Sequence, residues 1–224
     1  MFVKSANERR EEVRMRDLLS KEKWKYVFYT MSHPMDGFYW IRHAEKGSVP
    51  IAIFLVILFS IGFSVNRLLS SFVVNDMDPR TVDSLNELMG ILIFYLLICV
   101  SNWSITCLMN GEGRMKDISV AIGYSTLPMS VVLFAGTIIS QVVADDEQAF
   151  YTLLLFAGIA FGLILMLIGI MQVHNYTLGK TLITLFLTFV AMLIIIFVVL
   201  LLVNMLSMVW VFFRSIYTEI IFRS

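Results

Sequence analysis

Polar and apolar positions are segregated along this chain. Charged side chains are dense up to residue 48. From Pro50 to Phe213 the apolar residues run in long blocks separated by short polar breaks. Wound as a helix, about 20 apolar residues cross about 30 Å of hydrocarbon. Five blocks have that length: residues 49–69, 88–109, 118–140, 149–171, and one that begins near 181 and stays apolar to 213. They predict an all-α polytopic membrane protein. A bundle of five transmembrane helices occupies 49–213, preceded by an N-terminal interfacial helical segment over 1–48. The last block would reach about 50 Å as one helix, more than a bilayer needs. It is expected to cross to about Val203 and then leave the membrane or lie on its surface. This makes 204–224 a C-terminal interfacial extension that overlaps the end of the block.

In the first 48 residues, 7–25 lack Pro and Gly and predict a helix. Trp24, Tyr26, Phe28, Tyr29, Phe38, Tyr39 and Trp40 follow, interleaved with Lys and Arg. Amphipathic rings beside basic groups suit the headgroup layer, so the segment is expected to lie on the membrane. His33-Pro34-Met35-Asp36-Gly37-Phe38 interrupts it and reads as a turn.

Composition narrows the picture further. Of the 224 residues 58% are hydrophobic and 15% charged, which excludes a soluble enzyme and a disordered chain. The formal net charge is zero, without the basic footprint that nucleic acid requires. Cys99 and Cys107 share one block and read as small apolar residues. Lys and Arg are distributed unequally across the membrane. Thirteen fall on the side of the N-terminal segment and the 110–117 and 173–180 loops, against four on the other side. The positive-inside bias puts the N-terminus in the cytoplasm and the C-terminus outside.

Buried ionisable residues mark most intramembrane chemistry. None lies at mid-depth of a block, so no catalytic residue, cofactor or metal is expected, and the chain reads as non-enzymatic. The polar residues inside are neutral: Ser101, Asn102, Trp103, Ser104 and Thr106 in the second block, Tyr124, Ser125, Thr126 and Ser130 in the third. They hydrogen-bond helices together or line a pathway. Pro128 should kink or break the third helix. Gly158, Gly162 and Gly169 share one face of the fourth and allow close helix approach, within the chain or at a partner interface; Asn102 is also assigned to helix packing. Asp76, Asp78, Asp83 and Glu87, and the run Asp145-Asp146-Glu147, read as solvated loops. His33, His43 and His174 are scattered in interfacial loops without ligand spacing.

The stretch Asn110-Gly111-Glu112-Gly113-Arg114, a tight Gly turn, is followed by Gly123-Tyr124-Ser125-Thr126-Leu127-Pro128. In this order, with five spans, it resembles the Yip domain family of five-span membrane proteins. The His33–Phe38 lead-in and Lys46-Gly47-Ser48 resemble its bacterial-type members. The resemblance implies no catalytic residues. Eukaryotic relatives act in vesicle traffic, bind Rab GTPases or shape membranes, and some bacterial relatives are associated with carbohydrate ABC importers. The expected role is therefore a scaffold or accessory subunit in a bacterial plasma membrane, with lipid, other integral membrane proteins (ABC importer subunits among them) or a second copy as partners. A permease-like subunit with a hydrated neutral pathway and a membrane-shaping or trafficking factor are the alternatives. Partner or lipid contact is expected at Gly111, Gly113, Arg114, Tyr124 and Pro128, and at His33, Pro34, Asp36, Gly37, Phe38 and Trp40.

Overall fold

The computed structural model describes residues 20–75 and 77–223. Asp76 and the start of the helix expected over 7–25 lie outside the described residues. Seven α-helices follow in order: α1 Lys21–Ser32, α2 Pro34–His43, α3 Val49–Leu69, α4 Ser84–Leu108, α5 Met115–Ser140, α6 Gln148–His174 and α7 Leu178–Arg223. No strand occurs among the described residues. Among the described residues five helices, α3 to α7, are long and apolar enough to cross a membrane.

The third block, the most polar, forms the centre. Of the apolar window of α5, 61% is buried, against 11% for α7. Small and hydroxyl-bearing residues suit that place because they let backbones approach. A Cβ at Gly123 would meet Ala52 Cα at 2.9 Å, so α3 crosses α5 there at backbone distance. On the other flank, a Cβ at Gly158 would meet Val132 at 2.5 Å, and one at Gly162 would meet the Ser125 carbonyl at 2.8 Å. Gly158, Gly162 and Gly169 thus seat α6 on α5, inside the chain. The hydroxyls of Ser125, Thr126 and Ser130 donate to the carbonyls of Ala121, Gly123 and Thr126, so none is left bare in an apolar interior. Pro128 gives Tyr124 no backbone donor, yet α5 continues unbroken through it. Of the expected kink or break, the break does not occur.

α4 and α7 form an outer pair. Asn102 Nδ2 donates to Thr188 Oγ1 at 3.1 Å across it. Asp83 starts α4 by accepting from the N–H groups of Leu85 and Asn86, each at 3.1 Å. Asp78 caps the short turn Pro79–Thr81, and Glu87 pairs with Arg67 and Ser64. These carboxylates of the acidic loop are therefore structural.

α7 is one helix of 46 residues, about 69 Å long at 1.5 Å per residue, and it runs unbroken past Val203 through the 204–223 stretch. No Gly or Pro follows Gly179, so nothing in the sequence stops it. The His33–Phe38 turn is shorter than expected. Only His33 joins the helices, and Pro34 opens α2 at a position where its missing N–H costs nothing. A Cβ at Gly37 would lie 2.7 Å from Thr30 Cα, which brings α1 and α2 together as a hairpin. The hairpin does not merely rest on a surface. Val27, Phe38 and Ile41 are buried, and Phe38 reaches the Cβ space of Gly169 on α6 at 3.2 Å. Phe28, Tyr29, Met35, Tyr39 and Trp40 stay exposed.

Candidate functional site

The helix ends at Val49, Leu108, Met115 and His174, with the α1–α2 hairpin beside them, make up one end of the bundle, here the basic end. Two helices stop there in the same way. α4 ends with Asn110 at φ 54°, and the Gly111 N–H returns to the Thr106 carbonyl at 2.7 Å. α6 ends with Asn175 at φ 54°, and the Tyr176 N–H returns to the Met171 carbonyl at 2.9 Å. Asn tolerates this left-handed conformation, and the six-residue closure satisfies a carbonyl that the helix leaves open. The left-handed residue of the 110–113 turn is therefore Asn110; no glycine has positive φ.

The two loops then interlock. The Gly113 N–H donates to His174 Nδ1 at 3.1 Å, and the Tyr176 hydroxyl donates to the Met109 carbonyl at 3.1 Å. The His174 and Tyr176 rings stack with centroids 5.2 Å apart, and Lys180 Nζ sits 4.0 Å from the Tyr176 centroid. Burial pushes the Tyr176 phenol pKa up. Glycine is needed here for space. A Cβ at Gly111 would meet His174 Nδ1 and Tyr176 Oη at 2.7 Å; one at Gly113 would meet Val173 at 2.5 Å and His174 Cε1 at 2.7 Å. His174 is 1% exposed. It is thus a buried helix terminus, in place of the interfacial loop residue expected.

Charged groups frame this clasp. Arg42 pairs with Glu112, between the two glycines, at 2.5 Å. Arg114 Nε reaches the buried Asp117 at 2.8 Å, and Asp117 also accepts the Arg114 N–H. Glu45 receives Arg114 at 2.8 Å and Lys116 at 2.7 Å. Hydrogen bonds from Lys116 and then Arg114 hold the Glu45 carboxyl below the usual carboxylate range, and the bond to Asp117 raises Arg114. Lys23 Nζ donates to the carbonyls of Glu45 and Gly47, and the buried Tyr124 hydroxyl accepts the Ser48 N–H at 3.1 Å. The 44–48 loop is thereby tied to α1 and to α5.

Gly111, Gly113 and Arg114 therefore meet at one place, and Tyr124 adjoins it through Ser48. Pro128 lies at mid-bundle, apart from them. Asn102 faces Thr188 and does not face Tyr124. His33 stacks on Tyr29 with centroids 5.0 Å apart at the tip of the hairpin, where Pro34 and Asp36 begin α2. Trp40 carries Lys46 over its ring at 5.5 Å. His174, Tyr176, Arg42, Glu45, Glu112 and Asp117 complete the site without having been expected in it. The side-chain atoms Arg42 Nη1 and His174 Nε2 are buried without a hydrogen-bond partner among the described residues. No group of three or more His, Cys, Asp or Glu arranged for a metal occurs among the described residues.

This arrangement locks helix ends and presents half-exposed charges of alternating sign. Compared with known families, residues 28–216 match a model described as the Yip1 domain. No curated protein and no solved structure matches the chain.

Proposed function

We propose, from the premise that this chain belongs to the Yip1 domain family, that it works as a non-enzymatic scaffold or accessory subunit of a membrane complex. Its partners are other integral membrane proteins, a carbohydrate ABC importer among them, and the basic end faces the cytoplasm of a bacterial plasma membrane. The observation that carries this reading is the clasp. Apart from Arg42 Nη1 and His174 Nε2, its interior polar groups bond to one another, while Glu45, Glu112, Arg114 and Lys116 stand about half exposed above it. Such a rim favours recognition of a complementary charged surface over chemistry. A hydrated pathway has less support, because the hydroxyls of α5 are turned onto their own backbone.

The test is recovery of the tagged protein from its native membrane in mild detergent, with quantitative mass spectrometry of what accompanies it. A defined set of membrane proteins should copurify with the wild type and drop with Glu112→Arg and Lys116→Glu. An identical background for all three overturns the scaffold reading. A second reading, membrane shaping, is favoured by the exposed Phe28, Tyr29, Met35, Tyr39 and Trp40 on the α1–α2 hairpin. Remodelling of liposomes by the purified protein would select it.

A further inference from the structure

At mid-length of the bundle a crevice of about 240 Å³ lies between α4 and α6, with α5 as its floor and α3 closing one side. Phe59, Tyr95, Ile98, Thr126, Met129 and Leu163 are among its walls. A dry apolar cavity of about 150 Å³ already takes a benzene ring, so this one has room for a run of several carbons. Its few polar atoms are engaged elsewhere. Thr126 donates to the Gly123 carbonyl, Ser125 to the Ala121 carbonyl, and the Tyr95 hydroxyl to the Ser119 carbonyl at 2.9 Å. A water needs two to four polar partners, and the lining is almost wholly apolar, with no hydroxyl proton left to donate into it. The rim residues Phe94 on α4 and Leu163 on α6 are 58% and 50% exposed at the depth of the hydrocarbon, so the crevice opens sideways.

We infer that this crevice seats one acyl chain of a bilayer phospholipid, entering laterally between α4 and α6. Depth, dryness and lateral opening together fit a flexible hydrocarbon chain that is tethered in the bilayer. A polar solute would find an almost wholly apolar lining. The inference depends on the chain spanning the bilayer and is independent of the scaffold role.

The experiment uses the full chain in nanodiscs of phosphatidylcholine bearing a mid-chain diazirine. After irradiation, adducts are mapped by peptide mass spectrometry. Tyr95 and Met129 should be labelled although they lie inside the bundle, and Ile98→Trp, which fills the space, should lower their label about tenfold while Ile159 and Phe186, which face bulk lipid, keep theirs. A parallel arm supplies diazirine-labelled palmitate in unlabelled nanodiscs. Label in the crevice from the free acid alone overturns the phospholipid assignment. No label at Tyr95 and Met129 in the wild type, or label there that Ile98→Trp leaves unchanged, overturns the site.

Discussion

The backbone N–H of Gly113 meets His174 Nδ1 across 61 residues of chain. Because Nδ1 accepts, the neutral ring carries its proton on Nε2, and the tautomer is set by a peptide group. One loop is thus read by a side chain of the other, and the two glycines beside it must stay bare.

Gly111→Ala and Gly113→Ala should each destabilise the protein by about 1–3 kcal/mol through overpacking. At Gly90 and Gly179 an added methyl would meet nothing within 4 Å. There, Ala in a helix should be neutral or stabilising by about 0.5–1 kcal/mol. Thermal unfolding of the four variants in one detergent compares them. Equal losses at all four would refute the steric account of the turn.

Tyr124→Phe removes the hydroxyl that accepts the buried Ser48 N–H, at a cost of about 0.5–1.5 kcal/mol, the net worth of a typical hydrogen bond. The effect should be local. Amide exchange at residues 48–52 should rise while the α6 end at His174 keeps its protection.

Asn102 and Thr188 are coupled through one hydrogen bond. A double-mutant cycle with Asn102→Leu and Thr188→Val should return about 0.6 kcal/mol, the size usual between helices in lipid. A coupling of zero would mean that packing alone joins α4 to α7.

Glu45 has its pKa lowered in the fold. Its contribution is therefore present above the unfolded pKa and is lost as pH falls through the folded value. Protection of the 44–48 loop should hold at neutral pH and fade only in acid beyond the ordinary carboxylate range, because the Glu45 pKa is lowered. Glu45→Gln should show the faded state already at neutral pH. A loop equally protected in both proteins at all pH values would rule out the carboxylate tie.

The spans were legible because hydrocarbon imposes one simple demand, about 20 apolar residues in a row. The block 49–69 coincides with α3, where Pro50 opens the helix. The other blocks are shorter than their helices. Ser84–Glu87 and Met115–Asp117 are polar yet helical, since caps and first turns favour Asp and Glu. The glycine face of α6 could also be read, because its periodicity is local. The clasp could not. His174 and Gly113 belong to different loops, and no spacing along the chain announces that they touch. The 110–114 turn marked half of the site through its glycines, and the reason for those glycines lay in the other half.

The unbroken α7 makes the molecule lopsided. A rod of about 69 Å, anchored beside Tyr176 and gripped at Thr188, is more than twice the thickness of the hydrocarbon it enters. No loop stands between Trp210 and Lys180, whose ammonium rests on the Tyr176 ring. One continuous helix therefore joins the clasp to the far side of the hydrocarbon.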